Sequence, residues 1–130
     1  DKGMTQVARA SWAGNLEIVT ELTSRGADLN LSDRYGMTPI AMATVRSHKD
    51  VVKALAAGGA DMDIPDEFGL SPLGKSARGG DLAVLDELAA LGAGLNVTDK
   101  SGKTPAALAA ENGHLEIVQR MADLGADLEI

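Results

Sequence analysis

The sequence predicts an all-α solenoid, built from helix-turn-helix units stacked on one another and joined by turn or hairpin loops. Three observations predict it. Glycines fall at Gly3, Gly36, Gly69 and Gly102, and again at Gly26, Gly59, Gly92 and Gly125, each series spaced by 33 residues. Asp33, Asp66 and Asp99 keep the same period, as do Leu22, Leu55, Leu88 and Met121, with no gap or insertion. The chain is 45% hydrophobic yet has one Trp, one Tyr and one Phe, so its core is aliphatic. Self-similarity at such a period marks a repeat architecture, in which each unit buries its apolar face only against its neighbours. The 130 residues therefore form one domain of four repeats, approximately 1–32, 33–65, 66–98 and 99–130.

Each element follows from local chemistry. Thr38-Pro39, Ser71-Pro72 and Thr104-Pro105 read as helix starts. The hydroxyl caps an orphan amide, and proline in the first turn loses no hydrogen bond. A helix of about two turns follows, ending near Ser47, Gly80 or Gly113. A second helix begins around Lys49, Leu82 or Leu115. It carries the apolar pairs Ile18-Val19, Val51-Val52, Val84-Leu85 and Ile117-Val118, with Leu or Met three residues further on the same face. Gly26, Gly59, Gly92 and Gly125 then stop that helix, because glycine accepts the left-handed cap conformation. The Asp-x-x-Gly stretches read as turn-bearing loops. Ala10, Ala43, Ser76 and Ala109 share one position, where small side chains allow close helix approach.

Composition excludes several function classes. Twelve Lys and Arg against 19 Asp and Glu give a formal charge of −7, which opposes non-specific binding to nucleic acid or an anionic membrane. Zero cysteines exclude a disulfide framework, a thiol nucleophile and Cys-ligated zinc, and suit a reducing compartment. No apolar run approaches the roughly 20 residues that span a bilayer. The chain opens Asp1-Lys2-Gly3 without an initiator Met or an apolar leader, and reads as a trimmed or excerpted chain. A cytoplasmic or otherwise intracellular domain is expected, a monomer in isolation.

Gly36-Met37-Thr38-Pro39-Ile40, Gly113-His114-Leu115-Glu116-Ile117-Val118 and Gly125-Ala126-Asp127 resemble the ankyrin repeat, and the resemblance covers essentially the whole chain. It implies a non-catalytic protein–protein interaction module that binds a partner through its concave face and loop tips. The alternative is a structural segment of a longer ankyrin solenoid, or an engineered scaffold without a dedicated partner. Three departures stand out. The His of the family's Thr-Pro-Leu-His motif is replaced in every repeat, by Ala8, Ala41, Gly74 and Ala107. The family's leucine run in the second helix is reduced to single residues such as Leu55 and Leu88. Arg9 and Lys75 occupy a position where an apolar residue is usual. These changes imply a leaner core than a consensus repeat has.

Other chemistry fails on spacing. Gly102-Lys103-Thr104 resembles the tail of a phosphate loop, but Val97 stands where its first glycine belongs. Asp61-Met62-Asp63 opens like a calcium loop, but Pro65 replaces a ligand and Asp66 the required glycine. His48 and His114 lie two repeats apart, too far to share a metal or build a catalytic triad. No cofactor, metal or catalytic residue is expected.

In the ankyrin family, contacts come from the loop tips and the exposed end of the first helix. Carried over residue by residue, that surface comprises Lys2, Met4 and Trp12 in the first repeat and Arg34, Tyr35, Met37, Val45 and Arg46 in the second. The third contributes Phe68, Leu70 and Arg78, and the fourth Lys103. All three aromatics of the chain fall in this set. At their positions other repeats carry Ser101, Arg78 and Glu111, which a core would reject. A contiguous apolar row marks an interaction site, and Trp, Tyr and Arg are the types that carry interface energy. Met4, Met37 and Leu70 extend the row with adaptable apolar contact. The expected partner is a protein offering an apolar pocket with an acidic rim, rather than nucleic acid or membrane.

Overall fold

A computed structural model describes residues 3–128, which form eight α-helices in four antiparallel pairs and no strand. The pairs are α1 (Gln6–Ala13) with α2 (Leu16–Ser24), α3 (Pro39–Val45) with α4 (Lys49–Ala57), α5 (Pro72–Gly79) with α6 (Leu82–Ala90), and α7 (Pro105–Glu111) with α8 (Leu115–Asp123). Second helices begin where the sequence places them, and first helices stop one or two residues short of the expected glycine or serine. α1, α3, α5 and α7 pack side by side in one row, and α2, α4 and α6 follow behind them. α8 packs on α7 and is tied to α6 by an Arg120–Asp86 ion pair. Lys2 lies outside the described residues. Among them no helix is long and apolar enough to cross a membrane.

The first helix of each pair starts on a capping hydroxyl. Thr5, Thr38, Ser71 and Thr104 accept from the backbone N–H of Ala8, Ala41, Gly74 and Ala107 at 3.1, 3.3, 3.1 and 3.2 Å. These donors are the four positions where the resemblance leads one to expect a histidine and the chain has Ala or Gly. The cap needs only their main chain, so losing the side chain spares it. No buried side-chain nitrogen or oxygen among the described residues is left without a partner. At the other end of each second helix, Ala27, Ala60, Ala93 and Ala126 donate back to Leu22, Leu55, Leu88 and Met121. This closure turns through a glycine with positive φ, between +84° at Gly125 and +95° at Gly92.

The core lies between the two rows. Ile40 and Leu73 from the front row meet Val19, Val51, Leu55, Val84, Leu88, Ile117 and Met121 from behind, all fully enclosed. Ala10, Ala43, Ser76 and Ala109 are buried where front helices touch, as close approach requires. Burying these aliphatic side chains contributes roughly 1.5–3 kcal/mol each, gained without an aromatic core.

Lys75 departs from this pattern. Its counterparts Met42 and Leu108 are buried apolar residues. Lys75 instead turns its ammonium onto Asp66, forming an ion pair whose side chains are 11% and 3% exposed. Burial alone would push the Asp66 carboxyl up. The bond from Lys75 and the backbone N–H groups of Leu70 and Phe68 outweigh it and hold the group below its ordinary range.

Three lines of hydrogen bonds join successive repeats. At the loop tips, the carbonyls of Tyr35 and Phe68 accept from the N–H groups of Glu67 and Lys100 at 3.0 and 3.2 Å. Behind α2, α4 and α6, the side chains of Asn30, Asp63 and Asn96 accept from the N–H groups of Asp61, Gly94 and Asp127. At the turn between helices, His48 Nε2–H donates to the Trp12 carbonyl and His114 Nε2–H to that of Arg78, at 3.1 and 3.0 Å. At the equivalent step between them, the Ser47 hydroxyl donates to Asp81.

Candidate recognition surface

The loop tips are built by aspartate. Asp33 Oδ1 accepts from the N–H groups of Tyr35 and Met37 at 2.9 and 3.0 Å, and the Asp33 N–H donates to the Met37 carbonyl at 3.0 Å. Asp66 repeats the arrangement with Phe68 and Leu70. Such side-chain-to-backbone closure fixes a turn that a free chain would rarely hold. Gly36 and Gly69 complete it with φ of +77° and +80°. A Cβ there would meet the next repeat's backbone nitrogen, Glu67 at 2.9 Å or Lys100 at 2.6 Å. The positive φ and the close approach both demand glycine. Tyr35 and Phe68 thus stand at equivalent places on two rigid tips.

The aromatic side chains face solvent, Trp12 at 40%, Tyr35 at 45% and Phe68 at 62% exposure, and Val45 is similarly open. Met4 and Met37 are half-buried beside the Asp33 tip. Trp12, Tyr35, Met4 and Met37 come together with Asp33 and Met42 around a notch of about 230 Å³. Phe68 stands apart from that notch as an isolated projection. The Arg46 guanidinium lies over the Trp12 ring, 4.8 Å from its centroid, so the end of α3 shelters the indole from one side. Arg34 and Arg78 are exposed.

One sequence-predicted contact is placed differently, and a second is engaged in a surface ion pair. Leu70 is 4% exposed, so it belongs to the interior and not to the apolar row. The Asp66 turn draws its N–H inward, and its side chain follows into contact range of Gly74. Lys103 is half-buried and paired with Glu111. The hydrogen bond and charge of Glu111 hold its ammonium above the ordinary lysine range, so this cation is already engaged. Two lining residues escape sequence reasoning. Met42, 3% exposed, sits on the buried face of α3, and Asp33 is a turn former. The signal for Met42 is its register with Lys75, which shows that this helix position reaches the loop side.

The stack of paired helices defines a repeat solenoid. The family model for "Ankyrin repeats (3 copies)" matches residues 1–66 and again 52–130, and the chain belongs to the ankyrin-repeat family. Ankyrin repeats are in general protein–protein interaction modules, and the family is typically non-catalytic. No curated protein sequence matches the chain.

Proposed function

We propose that the chain binds a partner protein along its loop tips and the ends of α1, α3 and α5, with Trp12, Tyr35 and Phe68 at the centre of the contact. One observation carries this reading. The only three aromatics of a 130-residue chain all stand at the surface, two of them on hydrogen-bonded tips one repeat apart. Exposing such side chains forfeits burial that the aliphatic core would otherwise gain, whereas an interface recovers it. The partner offers an apolar pocket for Phe68 and acidic groups opposite Arg34, Arg46 and Arg78. The net charge of −7 keeps free copies apart, which supports a monomer.

The test is affinity capture with the native chain and a Trp12/Tyr35/Phe68 triple alanine variant, each checked for helical circular dichroism. Proteins retained by the native chain and lost by the folded variant support the reading. An identical captured set, or a native chain that retains nothing, overturns it. Phe68→Ala alone should shift stability by less than about 0.5 kcal/mol, because its side chain is mostly in water.

A further inference from the structure

The notch between the first two repeats makes the proposed contact more specific, and this inference rests on that reading. Its wall is formed by three methionines, Met4, Met37 and Met42, with Trp12 and Tyr35. Thioethers and aromatic faces adapt to aliphatic or aromatic shapes without offering a hydrogen bond. The one carboxylate in the lining, Asp33, already accepts two backbone N–H bonds through Oδ1. At about 230 Å³ the space suits a single side chain and not a folded element.

Asp33 in the lining and Glu67, bonded through its N–H to the Tyr35 carbonyl, bring negative charge to the notch, and arginines stand beside them. Arg25 and Arg120, outside the recognition surface, are paired with Glu21 and Asp86. Arg34 beside Tyr35, Arg46 over Trp12, and Arg78 one repeat further on have no carboxylate partner among the described residues. A guanidinium is shaped for bidentate contact with carboxylates. In a chain of net charge −7, three arginines without a carboxylate partner on this one surface offset the acidic Asp33 and Glu67.

We infer that the notch receives one leucine, methionine or phenylalanine side chain from an acidic extended peptide segment, whose flanking carboxylates meet Arg34, Arg46 and Arg78. The partner therefore contributes both a projection for the notch and a pocket for Phe68.

Trp12 is the only tryptophan, so its emission reports the notch directly. The probes are synthetic tryptophan-free peptides with a central Leu or Phe between two pairs of Asp and Glu. Two controls replace the central residue by Ala, or the acids by Asn and Gln. The expected result is a blue shift of Trp12 emission on titration with the Leu or Phe peptide. Affinity should fall at least tenfold with either control, at least fivefold with Arg46→Gln, and less than twofold with Arg25→Gln, which lies outside the recognition surface. Equal affinity for the controls, or no response to any acidic peptide by a folded chain, overturns the inference. Should the peptides fail while captured proteins still require Tyr35 and Phe68, the notch assignment falls and the recognition row stands. Should capture ignore both aromatics as well, the row itself falls.

Discussion

At the first and third junctions an imidazole spans the step between repeats; at the second a hydroxyl and a carboxylate do. His48 and His114 reach back over Gly14 and Gly80 to a main-chain carbonyl, with the ring lying where a Cβ would otherwise be, 2.6 and 2.7 Å away. At the middle junction the corresponding pair is Ser47 and Asp81. Ser47 adopts φ +61°, the only positive φ outside glycine among the described residues, and its hydroxyl bonds to Asp81. Asp81 also caps α6 by accepting from Val84, which neither histidine does for its own helix. The two positions are therefore coupled. A ring in the next repeat requires glycine in the preceding one, and a carboxylate permits a side chain there.

The coupling breaks most visibly at glycine. Gly80→Ala should cost about 2–3 kcal/mol, from left-handed strain of roughly 1–2 kcal/mol plus displacement of the His114 ring and its bond. Gly113 has φ +75° and nothing within 4 Å of its Cβ direction, so Gly113→Ala should cost only the strain, about 1–2 kcal/mol. Urea midpoints of the two variants separate strain from displacement, and equal losses would show that the ring contributes nothing.

The middle repeat pair also depends on a buried carboxylate. Lys75→Met should destabilise by about 2 kcal/mol at neutral pH, because Asp66 keeps its burial and loses its cation. The folded carboxyl sits below the ordinary aspartate range, so the unfolded chain binds the proton more readily. Its stabilisation is therefore present above about pH 4 and is lost as pH falls through the lower folded value. Native protein should lose this increment on acidification, and Lys75→Met should lose less of it. Unfolding free energies measured at steps from pH 6 to pH 2.5 check the sign.

Transplanting the outer chemistry into the centre gives a smaller effect. Asp81→His alone should cost about 1–2 kcal/mol, since it drops the helix cap and sets a ring against the Ser47 side chain. Adding Ser47→Gly should recover about 1 kcal/mol, and the double-mutant cycle measures that coupling. Additive effects would sink the idea that the positions are matched. Ser47→Gly on its own should lie within about 0.5 kcal/mol of native, because relief of strain offsets the lost bond.

Much of the fold was legible in the sequence because a gapless period states each element four times over. Thr38-Pro39 and Gly59 mark boundaries through local backbone rules that hold whatever the neighbours are. The candidate recognition surface was legible in part, as a placement of side chains. Tyr35 and Phe68 could be placed at loop tips, because Ser101 at the same position excludes a core. Leu70 could not be separated from them, since its side follows from which amides Asp66 collects. Met42 was hidden for the opposite reason: its face of α3 is buried, but its thioether reaches the lining from beneath. The ties of His48 and His114 depend on register between repeats, which spacing within one repeat does not show.

The lines of hydrogen bonds between repeats carry a mechanical consequence. Steps from the second repeat onward are pinned at the tip, at the interhelical turn and behind the second helix. A unit held at three separate places has little freedom to hinge or twist on its neighbour. The distance from Tyr35 to Phe68 is then set by the stack before any partner arrives. Association loses less conformational entropy on such a surface than on flexible loops. Affinity gained this way needs no extra contact, only a ruler that does not bend.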